Sequence, residues 1–166
     1  MRSRDLGFLG PGGIESHLEN ARAFVDLLGE ARRVLDLGSG GGIPGLVIAR
    51  ECPTIEVTLL DASQRRVAFL RRAVAELGLG SIVIEGRAEE LGHRVDLRGR
   101  FDTVVARSFG PPAVTAECGG AFVDQGGRLM VSEPPSGAGR WPAERCALLG
   151  LESTDVHVAD GTRVQV

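Results

Sequence analysis

The sequence predicts an α/β fold: a doubly wound, mostly parallel sheet that ends in an antiparallel pair of strands. Three observations carry this. Apolar runs that read as strands alternate with stretches of helical periodicity from Ile14 to Ser132. The first of those strands opens into the glycine cluster Gly38-Ser39-Gly40-Gly41-Gly42-Ile43-Pro44-Gly45, and Leu46-Val47-Ile48-Ala49 leaves it as a helix. At the carboxyl end, Asp155-Val156-His157-Val158 and Thr162 to Val166 flank Ala159-Asp160-Gly161, a hairpin signal.

A chain of 166 residues, 43% hydrophobic and 25% charged, is expected to form a single domain, 1–166, with its own core. The formal charge of −3 does not announce a nucleic-acid binder by overall charge, although it leaves room for a local basic patch. All 19 basic residues are arginines and the chain has neither Lys nor Tyr, which removes Schiff-base lysines and Tyr-Lys proton relays. Cys52, Cys118 and Cys146 are widely spaced and form no Cys-x-x-Cys pair, so reduced thiols are expected and no metal site. The chain has no apolar run long enough to span a membrane and no signal-peptide pattern, so no membrane association and a cytoplasmic location are expected.

Residues 1–13 are glycine-rich and read as a flexible lead-in. From 14 to 28 the positions Ile14, Leu18, Ala21, Val25 and Leu28 recur at helical spacing, with Gly29 as the stop, so a helix is expected to cover the sheet edge. His17 lies beside that apolar face with nothing nearby to pair with, and reads as packed or solvent-facing rather than catalytic. Arg32 and Arg33 precede the first strand and read as solvated.

The glycine turn is the candidate ligand site. Glycines such as Gly38 and Gly40 accept positive φ and let a ligand approach the main chain, and the next helix offers free N–H groups. Asp36, at the end of the strand, repels a pyrophosphate but attracts an ammonium group. That favours a zwitterion such as S-adenosylmethionine over a dinucleotide.

A helix from Gly45 to Arg50 is followed by a second strand, Glu56 to Leu60, that finishes at Asp61. An acid there, about 20 residues past the glycines, is placed to accept both hydroxyls of a ribose. A carboxylate near the start of the next helix is the plainer alternative, and the combination with Asp36 favours the ribose. The helix Gln64 to Leu77 is expected to bury Val67, Leu70, Val74 and Leu77. Its Arg65, Arg66, Arg71 and Arg72 read as a solvated face ahead of an RNA contact.

The third strand, Ser81 to Glu85, leads to Ala88, which leaves room for a flat base, and Glu89, which could meet adenine. Equally, Glu89 and Glu90 suit the acidic first turn of a helix, and spacing alone does not separate the two readings. The fourth strand, Phe101 to Ala106, delivers Arg107, Ser108 and Phe109 to the same edge. Arg107 is the candidate catalytic residue, because an arginine at a buried strand tip suits a ligand carboxylate or a substrate better than a structural salt bridge. A helix from Pro111 to Phe122, stopping at Gly126-Gly127, precedes a fifth strand, Arg128 to Ser132. Pro134 to Gly139 reads as either a lid or a linker, and Trp141 to Leu149 as a short helix. With the antiparallel end, this is the layout of a class I methyltransferase (Rossmann-like) sheet.

Four segments then carry a family resemblance: Asp36 to Gly45 ending in Gly-Ile-Pro-Gly; Leu59-Leu60-Asp61-Ala62-Ser63 with Arg66-Val67-Ala68-Phe69-Leu70-Arg71; Gly86-Arg87-Ala88-Glu89-Glu90; and Phe101 to Phe109. Over residues 17–131 the chain resembles the GidB family, bacterial methyltransferases that modify guanine N7 of 16S ribosomal RNA with S-adenosylmethionine. The resemblance implies that Gly38 and Ile43 contact that cofactor, that Ala88 and Glu89 hold its adenine end, and that Arg107 closes the site. It also implies ribosomal RNA or the small ribosomal subunit as partner. Two departures stand out: residues 1–33 are shorter than the family's helical amino-terminal region, and Glu133 stands where the family usually has a lysine. An anion there should repel a phosphate backbone.

Guanine N7 has an in-plane lone pair and needs no deprotonation, which suits a chain with no evident nucleophile and base. The Asn/Asp-Pro-Pro-aromatic sequence of amino methyltransferases is absent, since Pro111-Pro112 follows Phe109-Gly110, and no Pro-Cys follows the fourth strand. Two other classes remain to be tested: a nicotinamide-dependent oxidoreductase on the same sheet, disfavoured by Asp36, and a non-catalytic binder of S-adenosylmethionine.

Overall fold

The computed structural model describes Gly7, residues 13–134, 140–159 and 162–166. Most of the glycine-rich lead-in, the Pro135 to Gly139 part of the proposed lid or linker, and Asp160-Gly161 of the terminal turn lie outside the described residues.

Strands form where the apolar runs predict them: β1 (Arg33–Leu37), β2 (Glu56–Asp61), β3 (Ile82–Glu85), β4 (Phe101–Ala106), β5 (Val123–Glu133), β6 (Val156–Ala159) and β7 (Thr162–Gln165). They make one seven-stranded sheet in the order β3-β2-β1-β4-β5-β7-β6. The β1–β2, β1–β4, β2–β3 and β4–β5 pairs are parallel, and β7 runs antiparallel to both β5 and β6. The helices are α1 (Ile14–Leu27), α2 (Gly45–Glu51), α3 (Gln64–Leu77), α4 (Ala88–Leu91), α5 (Pro112–Gly120) and α6 (Ala143–Ala147). Among the described residues no helix is long and apolar enough to cross a membrane.

Side chains alternate across a strand, so each strand feeds two cores. On one face Val34, Leu59, Val105, Met130 and Val164 pack with Phe24 of α1, Leu28 just past its end and Ile48 of α2. On the other, Leu35, Leu37, Leu60, Val104, Ala106 and Val131 pack with Ala88, Leu91 and Phe122. The same parity puts Asp36, Asp61 and Arg107 after Val34, Leu59 and Val105 on the α1 face.

Several expectations change. Helix α1 covers that sheet face, against α2 and β7, and not an edge. Its buried stripe is His17, Ala21, Phe24 and Leu28, and such a stripe needs an apolar layer, whereas a sheet edge offers backbone polar groups. In α3, Val67 and Leu70 are buried and Val74 is half-buried against the same core, yet Leu77 is 47% exposed because the cover ends before the last turn. That helix ends as expected at Gly78, whose φ is +63°. Gly126-Gly127 does not stop a helix. It lies inside β5, where the pairing with β4 jumps from Phe101↔Val123 to Thr103↔Arg128 and Gly126 at φ +76° lets the extra residues loop out. Helix α6 is also shorter than expected, spanning Ala143–Ala147. Arg32 and Arg33 are anchored rather than simply solvated: both backbone N–H groups donate to Asp102 Oδ2 at 2.9 Å, and the Arg33 guanidinium pairs with Asp124 at 3.4 Å.

Candidate functional site

β1 and β4 are neighbours, and the connections that follow them leave toward opposite sides of the sheet. A crevice opens at such a switch point, beyond the carboxyl ends of the strands. Gly38 turns the chain there at φ +70°, and Ser39 ties the turn down by donating its N–H to Leu60 O (2.9 Å) and its hydroxyl to Asp36 O (2.9 Å). A side chain at Gly38 has no room, because its Cβ would lie 2.6 Å from the Phe109 ring. That ring is delivered by Ser108, which has φ +54° and is the one non-glycine in the left-handed region among the described residues. Backbone strain of this kind at the end of β4 marks a position held in place by its surroundings.

A cavity of about 770 Å³ opens beside the turn, with Gly38, Asp61, Ala88, Glu89, Ser108 and Phe109 on its walls. Asp61 is 3% exposed, and both its oxygens are engaged: Oδ2 accepts from Gly40 N at 2.8 Å and Oδ1 from Ser63 N at 2.8 Å. Asp61 is thus a carboxylate at the start of a helix that also lines the cavity, and each of its oxygens carries a second lone pair. The Arg66 guanidinium lies 3.7 Å from Oδ2. Ala88 is buried and begins α4, leaving the wall flat. Glu89 is likewise both first-turn acid and wall residue. A backbone hydrogen bond and then its ion pair with Arg87, at 2.6 Å, hold its carboxyl below the usual range.

Asp36, Gly40, Ile43 and Arg107 are not on the walls of this cavity. Asp36 lies beneath the turn, 1% exposed, with Oδ2 accepting from Gly45 N at 3.0 Å. Burial raises its pKa from 3.8 to about 7, opposed by the Gly45 and Ser39 hydrogen bonds, with Asp61 raising it further and Arg107 lowering it. Gly40, at φ +52°, contributes its N–H to Asp61, and Ile43 is half-buried in the turn. Arg107 is half-buried, and burial lowers its guanidinium pKa while the Asp36 charge raises it.

The expectation that His17 has nothing to pair with is corrected: Arg107 Nη2 donates to His17 Nδ1 at 2.6 Å. The two residues are 90 positions apart, and no local pattern could join them. The repulsive reading of Glu133 is corrected too. Its carboxylate is buried and accepts from Arg140 Nη1 at 2.8 Å and Trp141 Nε1 at 3.0 Å, so the charge is paired within the protein rather than bare at the edge. Sequence reasoning also missed Glu117 and Cys118, which reach the cavity from α5. Only the knowledge that α5 flanks β4 could have found them. Among the described residues no group of three or more His, Cys, Asp or Glu is placed to hold a metal ion.

Comparison with known proteins gives the chain its relatives. The family model for rRNA small subunit methyltransferase G (GidB) matches residues 13–158. The ribosomal RNA small subunit methyltransferase G of Moorella thermoacetica is 39% identical over 119 residues, covering 71% of this chain and 50% of that protein. Its namesake in Mycobacterium leprae is 46% identical over 108 residues, covering 63% of this chain and 44% of that protein. The chain thus spans about half the length of the curated relatives it matches. Among solved structures, an S-adenosylmethionine-dependent methyltransferase from Geobacter sulfurreducens, in complex with S-adenosyl-L-homocysteine, is 28% identical with a TM-score of 0.57 over 69% of this chain and 47% of that one. The sheet, the glycine turn and a match running through all four motif segments make this chain a member of the GidB family.

Proposed function

We propose that the chain is an S-adenosylmethionine-dependent methyltransferase acting on guanine N7 of 16S ribosomal RNA, in the bacterial cytoplasm. The observation that carries this is the cavity at the switch point, where the glycine turn, a buried acid at the end of β2 and a flat Ala88 wall meet. These residues suit the cofactor part by part. Asp61 has a free lone pair on each oxygen for the ribose hydroxyls, Ala88 and Glu89 bound the place for adenine, and Gly38, Gly40 and Ile43 shape the turn. Asp36 attracts the ammonium from beneath that turn.

Bound there, S-adenosylmethionine supplies an electrophilic methyl group. The protein then has little chemistry left to perform, because guanine N7 needs no base and alignment supplies most of the rate. Arg107 holds a positive charge at the tip of β4, and its role in this reading is orientation rather than proton transfer.

The reading is tested by following a radiolabelled methyl group from S-adenosylmethionine into small ribosomal subunits, naked ribosomal RNA and small metabolites. Label at guanine N7 of 16S RNA is expected. Cofactor binding without transfer to any acceptor would identify a binder instead. Asp61→Ala is expected to weaken S-adenosylhomocysteine binding by roughly 1.5–3 kcal/mol through lost charge-assisted hydrogen bonds, and unchanged affinity by calorimetry removes Asp61 from the site. Arg107→Ala is expected to lower methyl transfer at least tenfold, about 1.4 kcal/mol of barrier; normal turnover would return Arg107 to a structural role.

A further inference from the structure

We propose that His17 is a positioning residue: from the amino-terminal helix it fixes the Arg107 guanidinium on the sheet face that carries Asp36, the acid beneath the glycine turn. The inference rests on the S-adenosylmethionine reading of the site.

The geometry starts from the contact itself. His17 is 5% exposed, on the buried stripe of α1, and its Nδ1 lies 2.6 Å from Arg107 Nη2. A guanidinium has only donors, so Nδ1 must accept and the ring proton must sit on Nε2.

Strand parity puts the partners together. Asp36 follows Val34, and Arg107 follows Val105, on the sheet face that α1 covers. Asp36 is met by the Gly45 N–H from α2, by Ser39 from the turn, by the Asp61 charge from β2 and by the Arg107 charge from β4. Arg107 is the cation in that set, placed on the face of Asp36 by the register Asp36↔Val105, and its effect on the carboxyl is smaller than that of burial. A guanidinium on a long flexible stem exerts a steady field only when something fixes it. The contact that does so comes from a helix on the opposite side of Asp36 in sequence, before the first strand.

The test is binding of S-adenosylhomocysteine by calorimetry between pH 6 and 9, for wild type, His17→Phe and His17→Asn. Phenylalanine keeps a packed ring without an acceptor, whereas the asparagine Oδ1 stands close to where Nδ1 stood. Wild-type affinity should decline as pH falls through about 7, where Asp36 takes up a proton. For His17→Phe we expect affinity about tenfold weaker at pH 7 and a decline that begins at higher pH. For His17→Asn we expect affinity within about threefold of wild type and the wild-type midpoint. Equal affinities and midpoints in all three proteins overturn the inference, and so do equal losses in both variants, which would reflect packing alone. Should circular dichroism find His17→Phe unfolded, His17→Leu serves as the variant without an acceptor. Wild type that binds no S-adenosylhomocysteine overturns the underlying cofactor reading, and this inference with it; normal wild-type binding with unaffected variants overturns this inference alone.

Discussion

Asp36→Asn is expected to make the protein more stable at pH 8 while weakening its hold on S-adenosylmethionine. In the folded chain burial raises the Asp36 pKa to about 7 from an ordinary 3.8. Between those values the folded protein keeps a proton that the unfolded chain has lost, so stability declines as pH rises from about 4 to about 7 and is level above. At pH 8 the buried carboxylate is charged, and its burial costs on the order of a few kcal/mol. Asparagine removes the charge and keeps an oxygen to accept the Gly45 N–H, now at 3.0 Å. Urea unfolding at pH 5 and pH 8 should show a slope with pH in wild type that the variant lacks, with the variant more stable by a few kcal/mol at the higher pH. Cofactor affinity should fall about tenfold, since a neutral amide attracts an ammonium far less than a carboxylate does. A variant less stable than wild type at pH 8 would mean that the charge at Asp36 supports the fold. A site residue that costs stability and gains binding is what the trade-off between the two predicts.

How much of this was legible in the sequence follows from the range of the interactions. The strands and the turn are readable because their signals are local: alternation, glycine spacing, and the acids Asp36 and Asp61 at the ends of the first two strands. Asp61, Ala88 and Glu89 share one cavity wall because parallel strands joined by helices return every carboxyl end to the same edge, although spacing alone leaves Glu89 undecided between a helix-start acid and an adenine contact. What was misread depends on contacts across long stretches of chain. His17 and Glu133 were assigned by their neighbours in sequence, whereas their environments come from Arg107 in one case and from Arg140 and Trp141 in the other. Leu77 fits a helical stripe perfectly well, but periodicity says nothing about how far the covering layer extends. The loop within β5 was hidden because Gly126-Gly127 reads equally as a helix stop or as a break in a strand.

A Gly45→Ala variant is expected to lose about 3 kcal/mol of stability, a large effect for one methyl group. Gly45 begins α2 where that helix presses on the sheet, and its N–H is the donor that Asp36 accepts. A Cβ there would lie 2.5 Å from Asp36 Oδ2 and 2.8 Å from Asp36 Cβ, and would also collide with the Leu59 side chain, which is fully buried. Neither neighbour can yield cheaply. Leu59 is locked in the core between β1 and β3, and moving Asp36 breaks a hydrogen bond to a buried carboxylate. The variant should therefore show a lower urea midpoint together with weaker cofactor binding, because the helix can only retreat by carrying the turn with it. Gly80→Ala is the control: a Cβ there meets nothing within 4 Å and needs no left-handed backbone, so stability should hold or rise slightly. Equal behaviour of the two variants would mean that α2 sits more loosely on the sheet than these distances require, and the tight coupling of Asp36, Gly45 and the glycine turn would not hold.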